Sequence, residues 1–207
     1  PIALPLSKKP QYNYMRKLIS FCSSDAHEDH DKTTEPIPKR HLKTYTLNGI
    51  GGPSNSPKSN AKFQNSSHTI RLDLPKYMGG ADSAPQPVEH LLSALVGCTH
   101  ATALFVARNM KPSIIIDRIE FELTATRDNR GAVKLPIVPN KMDTPAGVVP
   151  SRVQCVSGTV LVLVADGEVI NDDQLKMLRE QTELRCPVAN MMISSGCDMT
   201  NVIWVTR

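Results

Sequence analysis

Two of the five cysteines in this 207-residue chain sit where a thiol can do chemistry. Cys98 lies in the middle of an apolar stretch that runs from Pro85 to Lys111 and is stopped by Pro112. Cys186 stands directly before Pro187 in the run Glu183-Leu184-Arg185-Cys186-Pro187-Val188-Ala189-Asn190-Met191-Met192. Cysteine followed by proline reads as a residue capping a new helix whose first position is the proline. A thiol at a helix N-terminus can have a lowered pKa and so more of the nucleophilic thiolate, and the neighbouring Arg185 adds positive charge. For Cys98 there is also a bland reading, because free cysteine is among the most buried residue types and packs like a small hydrophobe. An odd number of cysteines excludes a fully paired disulfide framework within one chain. They are also too sparse for a disulfide-stapled secreted domain.

The stretch that holds Cys98 predicts a long helix. Pro87 suits its first position, where a missing N–H would have no intrahelical partner. Glu89 lies in the first turn, facing the positive end of the helix dipole, and Arg108 and Lys111 lie in the last turn. Between these ends the side chains are small and apolar almost all round, so the helix is expected to be buried. Ala94, Gly97, Ala101 and Ala103 would let neighbours approach closely.

Around this helix the pattern predicts strands. His41 to Leu47 reads as a first strand, followed by a Gly/Pro/Ser/Asn loop from Asn48 to Asn60. Lys62 to Gln64 reads as a short strand. His68 to Leu74 alternates at period two, with Ile70, Leu72 and Leu74 on one face and Arg71 on the other. Ser113 to Arg127 and Arg152 to Ala165 read as an antiparallel pair with one wet face. The long Pro/Gly-rich insertion between them covers Asp128 to Pro150. Asn171 caps an amphipathic helix through Leu175, Leu178 and Leu184 that is expected to lie on the sheet. Pro187 to Ile193 reads as a second short helix and Met199 to Val205 as the last strand. Residues 1–40 read as an N-terminal extension and residues 41–207 as one domain. Within the extension, Met15 to Ser20 has the basic, Ser-containing character of a transit peptide, against the plainer reading of an arm that packs on the body. The expected location is intracellular, cytoplasmic or mitochondrial.

Composition narrows the function classes. The apolar content of 40% fits a globular protein, and the net charge of +4 is mild. No tight Lys/Arg run with interleaved aromatics supports nucleic-acid binding. No apolar run looks long enough to span a bilayer, since His90, Ser93, Thr99, His100 and Thr102 interrupt the central helix. Cys-x-x-Cys is absent, and His90 and His100 flank Cys98 at spacings that do not converge on one metal. Haem and flavin have no motif, so no resident cofactor is expected.

The pairing of Pro-x-Glu-x-Leu-Leu-x-Ala-Leu-x-Gly-Cys-Thr, which ends at Thr99, with the downstream Cys186-Pro187-Val188 resembles the OsmC/Ohr family of osmotically inducible and organic hydroperoxide resistance proteins. The resemblance covers roughly residues 41–207, in order, including the Gly79-Gly80 turn. It implies an α+β fold in which antiparallel sheets wrap around two central cysteine-bearing helices of an intertwined homodimer. It implies thiol-dependent reduction of organic hydroperoxides, with Cys98 attacking the peroxide and Cys186 resolving the resulting sulfenic acid. It further implies an external thiol reductant, a dithiol such as dihydrolipoamide.

Two departures from the family pattern bear on the site. The family's carboxylate stands ten residues before the cysteine, where this chain has Val88, with Glu89 one position later. Nine residues at about 100° each put Glu89 on the opposite side of a straight helix from Cys98. Glu89 therefore has two readings, a supporting site residue or a group that favours its own helix N-terminus. The family's early arginine has no motif match, and Arg40, Lys58, Lys62 and Arg71 are the cations in that region. A rival function follows, in which the same dimer binds an apolar small molecule in a helix-lined pocket or senses redox state through its thiols.

Overall fold

The central helix, α1, spans Pro87–Asn109 in the computed structural model, which describes residues 43–53, 55–64, 66–128, 150–167 and 169–207. Its start is closed on both sides. Pro87 occupies the first position, and the Glu89 carboxylate accepts the Gln86 backbone N–H at 2.8 Å to complete a capping box. It ends at Met110, which is extended, as expected near Pro112.

Two three-stranded sheets accompany it. In the first, β1 (Leu47–Gly51), β2 (Ser59–Phe63) and β3 (Thr69–Leu72) are antiparallel, with Leu47 opposite Phe63 and Ala61 opposite Ile70. The sequence placed a strand at His41 to Leu47 and a loop from Asn48 onward. His41 and Leu42 lie outside the described residues, and the observed strand begins where that reading ended. Every residue of β1 is exposed, so its side chains have no buried face to alternate. What makes it a strand is backbone hydrogen bonding to β2, which leaves no trace in the hydrophobic pattern.

In the second sheet, β4 (Ile116–Arg127) and β5 (Val153–Val164) form the expected antiparallel pair, and β6 (Val202–Thr206) adds parallel to β5. On β4, Phe121, Leu123 and Ala125 turn inward while Glu120, Glu122 and Thr124 are exposed. Gly158 of β5 has φ 136°, and a Cβ there would sit 1.9 Å from the Glu122 carbonyl oxygen. Only glycine permits this approach of β5 to β4.

Helix α2 (Asp172–Arg185) begins at Asn171, whose side chain accepts the Gln174 N–H at 2.9 Å. Leu175, Leu178 and Thr182 form its buried face. That face packs chiefly on α1, with a lesser contact to β6, rather than on the sheet as expected. The short helix α3 (Pro187–Ser194) follows after one residue. The core gathers Leu95 and Val106 of α1, Val156 and Val160 of β5, Leu178 of α2 and Trp204 of β6. All these elements belong to one unit, Thr46–Arg207. The domain boundary read between residues 40 and 41 and the Asp128 to Pro150 insertion lie almost wholly outside the described residues.

Two expectations for α1 need correction. The helix is not buried all round, because α2, α3 and β4 cover only one side. Ala94, Gly97 and Ala101 are exposed, and Phe105 is 56% exposed. Its polar interruptions also do not shorten it enough to exclude a span on length alone. The 23-residue helix holds an 18-residue window of mean hydropathy 1.5, enough to cross a membrane by length and composition only, a test that the core helix of a globular protein also passes.

Between β3 and α1, Asp73 anchors the loop. It is 1% exposed, and its carboxylate accepts the N–H groups of Leu74 (2.8 Å), Ala81 (3.4 Å) and Ser83 (2.9 Å) and the Ser83 hydroxyl (2.7 Å). The Ser83 hydroxyl first, then the Ser83 N–H, hold its pKa well below the ordinary 3.8. A lowered carboxylate pKa contributes stability that is complete above the ordinary value and is lost as pH falls through the folded value. Asp73→Asn should therefore be less stable than the wild type at pH 7. The gap between them should narrow as pH drops below 3.8 in parallel thermal melts. A gap independent of pH would refute the assignment.

Thr182 generates the opposite expectation. Its hydroxyl is fully buried and, among the described residues, has no hydrogen-bond partner. A buried hydroxyl without a partner costs about 1–3 kcal/mol, and valine has the same shape without the polar atom. Thr182→Val should raise stability by about 1 kcal/mol in urea titration.

Candidate active site

The α2–α3 junction places Cys186. A proline has no N–H and disfavours a helical residue before it, so α2 ends at Arg185 and Cys186 is extended, with ψ 109°. Cys186 is at once the residue after α2 and the N-cap of α3, as the Cys-Pro pair predicted. Its own N–H reaches back to the Thr182 carbonyl at 2.9 Å. The Asn190 side-chain amide donates to the carbonyls of Glu183 (3.0 Å), Leu184 (3.1 Å) and Cys186 (2.8 Å). The two amide hydrogens are shared among these oxygens and serve the Glu183 and Leu184 carbonyls at the end of α2, while the Cys186 carbonyl also accepts the Asn190 backbone N–H at 3.0 Å.

Cys98 comes from the middle of α1 and is half-buried, whereas Cys186 is completely buried. Both are free thiols, and they are near enough for Cys98 to act on the Cys186 pKa. Two groups lie against the Cys186 sulfur. The Ala189 backbone N–H donates to it at 3.4 Å, and the Thr99 hydroxyl lies 3.7 Å away. The helix N-terminus does not lower the Cys186 pKa, as its position had suggested. Burial pushes it above the ordinary 9.0 and outweighs the Ala189 N–H. The Cys98 thiol pushes it up further, and the Thr99 hydroxyl pulls it down. Cys186 is therefore a protonated thiol near neutral pH. Two neighbouring reduced cysteines are the starting point that a disulfide requires.

Between α1 and β4 runs an open groove of about 400 Å³, lined by Leu92, Ser93, Val96 and Gly97 of α1 and Phe121 and Leu123 of β4, and neither cysteine lines it. A Cβ built on Gly97 meets nothing within 4 Å. The lining is mostly aliphatic and aromatic, suited to an apolar ligand part.

The remaining candidates lie elsewhere. Glu89 is exposed, and its carboxylate is bonded to the start of its own helix. The regular helix from Pro87 keeps it about two and a half turns from Cys98 and on the opposite face, so within one chain it does not join the thiols. Lys58, Lys62 and Arg71 are exposed on or beside the strands of the first sheet, and Arg40 lies outside the described residues. Cys155 is a β5 residue, and Cys197 is buried after α3. Cys22 lies outside the described residues. Thr99 and Asn190 were not singled out from the sequence, although both stand in the two cysteine motifs. Their signals were local: Thr99 follows Cys98 directly, and Asn190 lies one helical turn after Cys186.

The profile of the OsmC-like protein family matches residues 80–201. The OsmC-like protein from Mycoplasma pneumoniae has a similar structure, with a TM-score of 0.58 and 19% identity, covering 79% of this chain and 97% of its own. An OsmC-like protein of unknown function from Vibrio cholerae gives a TM-score of 0.57 at 12% identity, covering 80% of this chain and 100% of its own. An organic hydroperoxide resistance protein from Elizabethkingia anophelis gives 0.52 at 14% identity, covering 80% and 98%. At these identities the likeness is one of fold. No curated protein sequence matches the chain.

Glu89 as a helix cap has a measurable signature. Glu89→Ala should cost about 0.5–1 kcal/mol of stability through loss of the capping box. The rate at which Cys98 is alkylated in the folded protein should stay unchanged.

Proposed function

Because the chain belongs to the OsmC-like family, we propose that it is a thiol-dependent peroxidase that reduces organic hydroperoxides to alcohols. The observation that carries this reading is that α1 brings the free thiol of Cys98 next to that of Cys186, with Thr99, the residue after Cys98, 3.7 Å from the Cys186 sulfur. The Cys98 thiolate attacks the terminal oxygen of the hydroperoxide. The O–O bond breaks, the organic half leaves as an alkoxide and takes up a proton, and Cys98 becomes a sulfenic acid. Cys186 then attacks the Cys98 sulfur. An S–S bond forms, and the sulfenic hydroxyl leaves as water with the proton from Cys186. An external dithiol restores both thiols by exchange. The groove beside Gly97 supports an alkyl or aromatic organic half, whose contacts would be with Leu92, Val96, Phe121 and Leu123.

In this reading the working unit is an intertwined homodimer. Ala94, Gly97, Ala101 and Phe105 leave an apolar side of α1 open, and nothing within one chain requires a glycine at position 97. A second copy closing on that side would bury it and would give the small residues their use. It could also supply the positive charge for Cys98 that the family draws from an arginine.

A second reading keeps the groove and drops the turnover. It is favoured by the engagement of Glu89 in its own helix cap, away from Cys98. The groove would then hold an apolar small molecule, and the thiols would be structural or redox-sensing.

One experiment separates the two. Fully reduced protein is mixed with one equivalent of cumene hydroperoxide, followed by intact mass and then by non-reducing peptide mapping. The peroxidase reading expects rapid loss of two hydrogens, mapped to a Cys98–Cys186 bond and absent in Cys98→Ser. Unchanged mass, or oxidation spread over Cys22, Cys155 and Cys197, would overturn it and leave the binding reading.

A further inference from the structure

We infer that Thr99 is a positioning residue for the second half of the reaction: its hydroxyl, together with the Ala189 N–H, seats the Cys186 sulfur as it becomes a thiolate. The inference rests on the peroxidase reading for its place in a reaction, but the seat itself rests on geometry. The Thr99 oxygen is 3.7 Å and the Ala189 nitrogen 3.4 Å from that sulfur. Cys186 is completely buried, so no water can solvate an anion there. Any negative charge on it must be met by protein donors.

Pro187 makes the seat specific. It has no N–H, so the first turn of α3 offers its amides only from Val188 onward, and the Ala189 amide is the one aimed at the sulfur. Thr99 approaches from the other side, on α1. Adjacent residues on a helix diverge by about 100°. A single turn of α1 therefore presents both the sulfur to be attacked, on Cys98, and the donor for the attacker, on Thr99. Among the described residues, the one titratable group that acts on Cys186 is Cys98 itself. While Cys98 is a sulfenic acid, Thr99 and Ala189 remain the fixed donors available to the incoming thiolate. The proton leaves Cys186 with the sulfenic hydroxyl as water, and no further oxidant or base enters the step.

The test uses Thr99→Val, which keeps the shape and removes the hydroxyl, and Thr99→Ser, which restores it. After one equivalent of cumene hydroperoxide, dimedone traps the Cys98 sulfenic acid over time. In Thr99→Val the sulfenic acid should form at the wild-type rate and persist about tenfold longer, with Thr99→Ser close to the wild type. Without any peroxide, the pH midpoint of Cys186 alkylation, read peptide by peptide, should rise in Thr99→Val and return in Thr99→Ser. A Thr99→Val protein that matches the wild type in both measurements would overturn the inference. If the wild type forms no sulfenic acid at all, the peroxidase reading fails, and the alkylation midpoints still decide whether Thr99 seats Cys186.

Discussion

Between α2 and α3 the chain turns on one residue, and the Asn190 side chain holds that turn. Its amide bonds to the carbonyls of Glu183, Leu184 and Cys186, so the end of one helix and the start of the next are fixed by the same group. Helix ends leave backbone groups without partners, and two helices meeting end to start inside a protein double the problem. Here the first helix has its carbonyls taken by an amide. The second begins with a proline that has no N–H to satisfy and a sulfur that accepts the Ala189 N–H. The Cys186 sulfur lies toward α1, where the Thr99 hydroxyl is 3.7 Å from it.

The other half of the arrangement is supplied by α1. Its capping box and N-terminal proline fix where the helix starts, and so fix which residues face α2 and α3. Leu95, Ala103, Val106 and Ala107 are its buried anchors, while Cys98 and Thr99 fall at the edge of that face. Cys98 is thus half-buried, and its proposed resolver is sealed. The burial that raises the Cys186 pKa also slows its direct reaction with outside reagents.

The parts legible in the sequence were those set by local chemistry. The Cys186-Pro187 cap, the Asn171 cap and the limits of α1 each follow from a few adjacent residues, and the structure places them within about two positions of the expectation. The long β4–β5 pair announced itself through alternation. What stayed hidden depends on neighbours far along the chain. β1 has no buried face, so no pattern marks it. The apolarity of α1 was plain, but not which side this chain would leave open. Burial reversed the expected effect of the helix terminus on Cys186, and Thr99 acquired its contact only across 87 residues of sequence. Asp73 was an ordinary strand-end carboxylate until the fold brought Ala81 and Ser83 to it.

The parallel pairing of β6 with β5 has a consequence for how the molecule is made. Parallel neighbours cannot be joined by a tight turn, so the whole of α2 and α3 lies in the crossover between them. Synthesis delivers Cys98 long before Cys186. Thr99 and Cys186 meet only through contacts of high sequence separation, which carry the loop-closure cost and form late. Docking of the C-terminal strand secures the crossover that carries Cys186. A chain interrupted before β6 would keep both cysteines and lose the strand that pins that crossover to the sheet. The last five-residue strand, which begins 16 residues after Cys186, thereby ties the crossover that carries this cysteine to the sheet.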